Sequence, residues 1–173
     1  MSDHIIKSDA YTIQEIINLL STKTTLGLSE ENISKLNKNR NFLEAKINEA
    51  GAIFYGINTG FGSLCNERIS HEDLSQLQTN LVRSHACGTG YVLDEKLCRL
   101  IFLMKILNLS KAYSGVRSEL VLHMIKVYNA GIIPVIYEQG SLGASGDLAP
   151  LAHLSLTLIG EGKCYYNQEI IPS

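Results

Sequence analysis

Residues 140–156 read GSLGASGDLAPLAHLSL. Glycine, serine and alanine crowd the first half of this stretch, and an apolar helical pattern fills the second. Gly140, Ser141, Gly143, Ala144, Ser145 and Gly146 permit close backbone approach and sharp bends. From Asp147 the chain turns helical, and Pro150 falls in the first turn, where a missing N–H costs nothing. A phosphate loop would need Lys and Ser or Thr after its last glycine, but Gly146 is followed by Asp147, whose carboxylate repels phosphate. A nucleophile elbow would need G-x-S-x-G after a strand, but Ser145 is followed at once by Gly146. Two readings stay open on local physics. In one, Asp147 caps the helix and the glycines turn the chain into it. In the other the chain reacts with itself. The Gly146 nitrogen attacks the Ala144 carbonyl carbon and closes a five-membered ring. Loss of two waters, one of them carrying the Ser145 hydroxyl, leaves an exocyclic methylene.

Working outward, the chain reads as mostly helical. Thr12 to Glu15 (TIQE) is a capping box, followed by Ile13, Ile16, Ile17 and Leu20 at helical spacing and closed by Gly27. Ser29 caps a second helix with Ile33, Leu36, Leu43 and Ile47 on its buried side, stopping at Gly51. Residues 53–66 hold Gly56, Gly60 and Gly62 and break the periodicity, which predicts an irregular loop. A third helix, signalled by Ser70 and Asp73, carries Leu74, Leu77, Leu81 and Val82 towards Gly88. Asp94 opens a fourth with Leu97, Leu100, Ile101, Met104 and Leu107, closing near Gly115. Arg117 or Ser118 opens a fifth with Leu120, Val121, Met124, Ile125 and Tyr128, stopping at Gly131. The tail KCYYNQEII alternates and predicts a short β-hairpin around Asn167 and Gln168. No internal repeat or linker divides the chain, so residues 1–173 read as one domain.

Composition narrows the class. Hydrophobic residues make up 45 % and charged residues 18 % of the 173, enough to bury a core. The net charge of −2, with Lys and Arg scattered, points away from nucleic acid. Apolar runs are too short for a membrane span, and the start carries no leader pattern, so a cytoplasmic address is expected. Cys65, Cys87, Cys98 and Cys164 form no C-x-x-C pair and share no metal-ligand spacing with histidine, so reduced, structural thiols and no metal site are expected.

Three further stretches join the first. They are YGINTGFGSL (Tyr55 to Leu64), NLVRSHACGTG (Asn80 to Gly90) and KAYSGVR (Lys111 to Arg117). Together with GSLGASGDLAPLAHLSLTLIGEGK, and in this order, they closely resemble the signature of the aromatic amino acid ammonia-lyase family. The likeness runs from about residue 10 to the end. It implies the helical fold of the fumarase–aspartase group, with this chain as its N-terminal portion. It implies that Ala144-Ser145-Gly146 becomes the 4-methylidene-imidazol-5-one group, MIO, in the full-length protein. Tyr55 resembles the family tyrosine assigned to proton removal at the substrate β-carbon, and such a base needs surroundings that lower its pKa. Asp147 resembles the acidic residue that supports ring closure. Asn58 and Gly60, by their place in the loop, are read as shaping it around the substrate. The pair Ser84-His85 is the one found in members acting on histidine, and His85 resembles the residue that meets the substrate imidazole. L-Histidine, converted to trans-urocanate and ammonia, is therefore the substrate implied. Members acting on phenylalanine usually carry bulky apolar residues there, and those acting on tyrosine usually His-Leu. A phenylalanine or tyrosine lyase, an aminomutase, or a non-catalytic helical scaffold remain the alternatives.

Taken singly, these residues have plainer readings. Tyr55 could anchor a loop, His85 could be a core histidine beside Leu81 and Val82, and Asp147 could only cap a helix; the aligned motifs carry the functional assignment. His123 and His153 have no such support and read as structural. The family's remaining active-site residues, including a Tyr-x-x-Arg stretch for the substrate carboxylate, lie beyond Ser173, so the chain reads as truncated. The resemblance implies a homotetramer for the full-length enzyme. For the 173-residue chain by itself it implies no lyase activity, an uncyclised Ala144-Ser145-Gly146, and a tendency to self-associate or swap domains through bared apolar faces.

Overall fold

The computed structural model describes residues 2–7, 9–21, 24–49, 53–59, 71–141 and 148–173. Strand β1 (Ser2–Ile6) leads to helix α1 (Ile13–Ser21), which starts where the capping box predicts. The Thr12 N–H donates to Glu15 Oε2 at 2.8 Å, and the Glu15 N–H donates to Thr12 Oγ1 at 3.2 Å. The chain then forms strand β2 (Thr24–Leu28), parallel to β1, with Gly27 opposite Ile5. Gly27 thus lies inside a strand rather than ending a helical region. Helix α1 is the crossover that makes the parallel pairing possible.

Helix α2 (Glu30–Ile47) opens on Ser29, whose Oγ accepts the Asn32 N–H at 3.2 Å. It buries Leu36 and half-buries Ile33, Leu43 and Ile47, the predicted side. Helix α3 (His71–His85) and strand β3 (Thr89–Val92) follow. Helix α4 (Glu95–Leu109) is capped by Asp94, which accepts the Lys96 N–H at 2.8 Å. It stops six residues short of Gly115, because 111–117 turns back on itself through left-handed Ala112 and Gly115. Helix α5 (Ser118–Asn129) starts and stops as predicted, with Val121, Met124, Ile125 and Tyr128 buried. Strands β4 (Ile133–Pro134) and β5 (Tyr137–Gln139) lead towards helix α6 (Leu148–Leu158). Strands β6 (Lys163–Tyr166) and β7 (Glu169–Pro172) make the predicted hairpin, with Asn167 and Gln168 both at positive φ, as a two-residue type I′ turn requires.

The fold is mainly α, as the periodicity predicts. The sheets are small: β1 with β2, β3 with β5, and β4-β6-β7, in which the β6–β7 hairpin extends the short strand that follows α5. The core lies between α4 and α5. Phe102, Leu103 and Ile106 pack there with Val121, Met124, Ile133, Leu36 and Leu154. Two residues expected on the buried face of α4, Leu97 and Met104, are 43 % and 44 % exposed instead. Helix α4 is apolar almost all round, so its periodicity does not say which side faces inward. Asn129 ties α5 to β2: its Oδ1 accepts the Leu26 N–H at 2.9 Å and its Nδ2 donates to the Leu26 carbonyl at 2.8 Å.

Among the described residues no helix is long and apolar enough to cross a membrane, and no cluster of three or more metal-ligating side chains occurs. Cys87, Cys98 and Cys164 are free thiols, the last two buried. Gly60, Cys65, Ala144, Ser145, Gly146 and Asp147 lie outside the described residues.

Candidate active site

Tyr55 sits in a short turn, 54–58, and is 64 % exposed. The turn is closed by its own backbone and by one side chain. The Ile57 and Asn58 N–H groups both reach the Phe54 carbonyl, at 3.1 and 3.2 Å. Asn58, buried, accepts the Phe54 N–H on its Oδ1 at 2.8 Å. An asparagine bonding back onto a neighbouring backbone group is the usual way such a turn is held. Asn58 therefore fixes the backbone that carries Tyr55, and Thr59 follows it into the interior.

Ser84 and His85 form the last turn of α3. Two side chains converge there on one acceptor. The Ser84 hydroxyl donates to the Leu81 carbonyl at 2.9 Å, and His85 Nδ1 lies 2.8 Å from the same oxygen. A carbonyl only accepts, so Nδ1 carries the proton, and in the neutral ring Nε2 carries the lone pair. Ser84 Oγ also lies 3.0 Å from His85 Nδ1, so the two side chains and the Leu81 carbonyl form one cluster. The half-buried His85 thus presents Nε2 as a hydrogen-bond acceptor, suited to a ligand ring that bears an N–H or O–H.

Two polar contacts tie the end of α3 and the residues just after it to α6 and the residues just after it. At the surface, the Arg83 guanidinium grips both Glu161 oxygens in a bidentate pair, with Nε 3.0 Å from Oε2. Deeper, the Gly88 N–H donates to His153 Nε2 at 2.9 Å, and the His153 ring lies against Tyr137 with centroids 5.0 Å apart. Burial holds the His153 imidazole below its ordinary pKa, consistent with a neutral acceptor. Gly140 closes the same knot. A Cβ on Gly140 would come within 2.9 Å of the Gly88 Cα, and one on Gly88 within 2.8 Å of His153 Nε2. The antiparallel pairing of Thr89 with Gln139 continues the contact. Three stretches meet here: Gly88 just past α3, Gly140 before residues 142–147, and His153 on the helix that follows them, the first some fifty residues or more from the other two.

The structure therefore brings Gly88, three residues after His85, against Gly140 and His153, which lie on either side of residues 142–147 in the sequence. It places Tyr55 and Asn58 on a separate turn. Sequence reasoning set His153 aside as structural. Its link to Gly88 spans 65 positions, and no periodicity or spacing signals it.

Comparison with known proteins bears on the same residues. A family model described as aromatic amino acid lyase matches residues 11–173. A histidine ammonia-lyase of Shewanella woodyi is 43 % identical over 99 % of this chain and 33 % of its own length. Among solved structures, a histidine ammonia-lyase from Trypanosoma cruzi superposes with a TM-score of 0.85 at 32 % identity, covering 99 % of this chain and 32 % of that one. A phenylalanine aminomutase of Pantoea agglomerans gives 0.87 at 27 % identity, over 99 % of this chain and 33 % of that one. The chain spans about a third of the length of the curated relatives it matches.

Proposed function

The chain belongs to the aromatic amino acid lyase family, and from that premise we propose that it is the N-terminal portion of an enzyme that eliminates ammonia from L-histidine to give trans-urocanate. The observation that carries the substrate is the Ser84-His85 turn, where Nδ1 bonded to the Leu81 carbonyl leaves Nε2 as an acceptor. The imidazole of histidine offers a ring N–H to that lone pair. A phenyl ring offers nothing, and an acceptor buried under such a ring loses its water without compensation.

The residues present fit the MIO group in their chemistry. Ala144, Ser145 and Gly146 supply the ring atoms and the methylene carbon, and Asp147 follows directly. The approach to them is already built for close backbone contact, since neither Gly140 nor Gly88 leaves room for a Cβ. When formed, the group supplies an electrophile that makes the substrate amine a better leaving group. The chain's own residues do the rest. Tyr55 Oη takes the proton from the substrate β-carbon, His85 Nε2 orients the ring, and Ser84 stands with His85 at the Leu81 carbonyl. Asn58 keeps the Tyr55 turn closed, and Asp147 assists ring closure. The carboxylate-binding stretch of the family is not among these residues, so the complete site needs more chain than residues 1–173 contain. Homotetramer formation and a cytoplasmic address belong to the same proposal.

The test is the full-length protein with L-histidine, L-tyrosine and L-phenylalanine in parallel, following ammonia and the unsaturated acid. Urocanate from histidine, with little turnover of phenylalanine, is the expected outcome. A second reading has one observation in its favour: a tyrosine hydroxyl can also donate to His85 Nε2, and an aminomutase shares this fold. Release of a β-amino acid, or faster turnover of tyrosine, would replace histidine elimination with that reading.

A further inference from the structure

The contact between His153 and Gly88 has no part in the reaction as proposed above, yet it joins the stretches that the reaction needs. His153 stands on α6, six residues beyond Asp147. Its Nε2 accepts the N–H of Gly88, three residues beyond His85. That N–H lies three residues past the end of α3, and its partner is the His153 ring rather than a helix carbonyl. The geometry leaves little alternative. A Cβ at Gly88 would lie 2.8 Å from His153 Nε2 and 3.1 Å from the Tyr137 Cβ. A Cβ at Gly140 would in turn lie 2.9 Å from the Gly88 Cα, so the two glycine backbones stand close together. The imidazole ring is tilted against Tyr137 and cannot turn away without losing that face.

We infer that His153 is a positioning residue: as a neutral imidazole protonated on Nδ1, it pins the backbone after His85 onto α6 and so sets where the Ser84-His85 pair points. This inference rests on the reading of Ser84-His85 as the substrate-ring contact. His153 touches no substrate in it, and its action passes through Gly88. The requirement is specific. The pin needs an acceptor at the place of Nε2 and a flat body against Tyr137, so an apolar side chain of equal bulk keeps the packing and loses the pin.

The experiment uses the full-length protein with His153→Leu and His153→Gln, the glutamine Oε1 being able to accept at the place of Nε2. KM and kcat are measured on whichever aromatic amino acid the parent deaminates. Exchange of the Gly88 amide hydrogen is followed in the same proteins. The expected result is a KM raised about tenfold or more in H153L with a smaller fall in kcat. The Gly88 amide should exchange faster in H153L, and both effects should be largely restored in H153Q. An unchanged KM in H153L, equal losses in the two variants, or an unchanged Gly88 exchange rate would overturn the inference and leave His153 as a packing residue. The two failures separate cleanly. A parent that deaminates tyrosine overturns the histidine reading while the KM comparison still judges the pin. A parent that deaminates no aromatic amino acid overturns the lyase reading, and Gly88 exchange in the two variants then decides the pin alone.

Discussion

At the scale of single residues, the chemistry rests on where lone pairs and protons are placed. The Leu81 carbonyl decides the tautomer of His85, because an oxygen that only accepts obliges Nδ1 to donate. Replacing His85 with Leu should lower kcat/KM for L-histidine in the full-length enzyme at least tenfold, about the worth of one neutral hydrogen bond, while phenylalanine turnover holds or rises. His153 carries a pH signature. Burial lowers its pKa, so the folded chain binds that proton less readily than the unfolded chain. The stability it contributes is complete above the ordinary imidazole pKa of about 6.5. It is lost as pH falls from there through the depressed folded value. Thermal unfolding from pH 7.5 down to pH 5 should therefore show a fall that is shallower in His153→Gln. Gly115 is a backbone case. It sits at φ 64°, its N–H donates to Asn39 Oδ1 at 2.7 Å, and an added Cβ would lie 2.5 Å from Leu43 Cδ2. Gly115→Ala combines left-handed strain with that clash and should cost about 1–3 kcal/mol in denaturant unfolding.

At the scale of elements, side chains do much of the joining that longer sheets would otherwise do. Asn129 acts as a one-residue strand edge, satisfying both the N–H and the carbonyl of Leu26. Asn129→Ala leaves that half-buried pair without partners and should lower stability by about 2–4 kcal/mol, read as a reduced denaturant midpoint with an unchanged slope. Helix starts were legible in the sequence because caps are local. The Thr12-Glu15 box, Ser29 and Asp94 all make the bonds that their spacing predicts. The hairpin turn at Asn167-Gln168 was legible for the same reason. Strands β1 and β2 were not. Each is five residues long and finds its partner across α1, so nothing inside either one marks it as a strand.

At the scale of the whole molecule, the described surface still shows large apolar side chains. Ile13, Tyr91 and Tyr113 are each more than three-quarters exposed. The 173-residue chain by itself should therefore elute above its monomer size at tens of micromolar and form no urocanate; a monomer that makes urocanate would overturn both expectations. The family and the helical class were decided by the sequence, because capping boxes, helical periods and the Ala-Ser-Gly motif are written in neighbouring residues. So were Tyr55 and the Ser84-His85 pair as candidates. What the sequence could not decide was which residues meet. Helix α4 is apolar on nearly every side, and only packing turned Met104 out and Phe102 in. Gly88 is tens of residues from Gly140 and His153, and is joined to them by one hydrogen bond and two missing Cβ atoms. Contacts of that kind depend on how α3, β5 and α6 stack in space, and tertiary packing alone sets that.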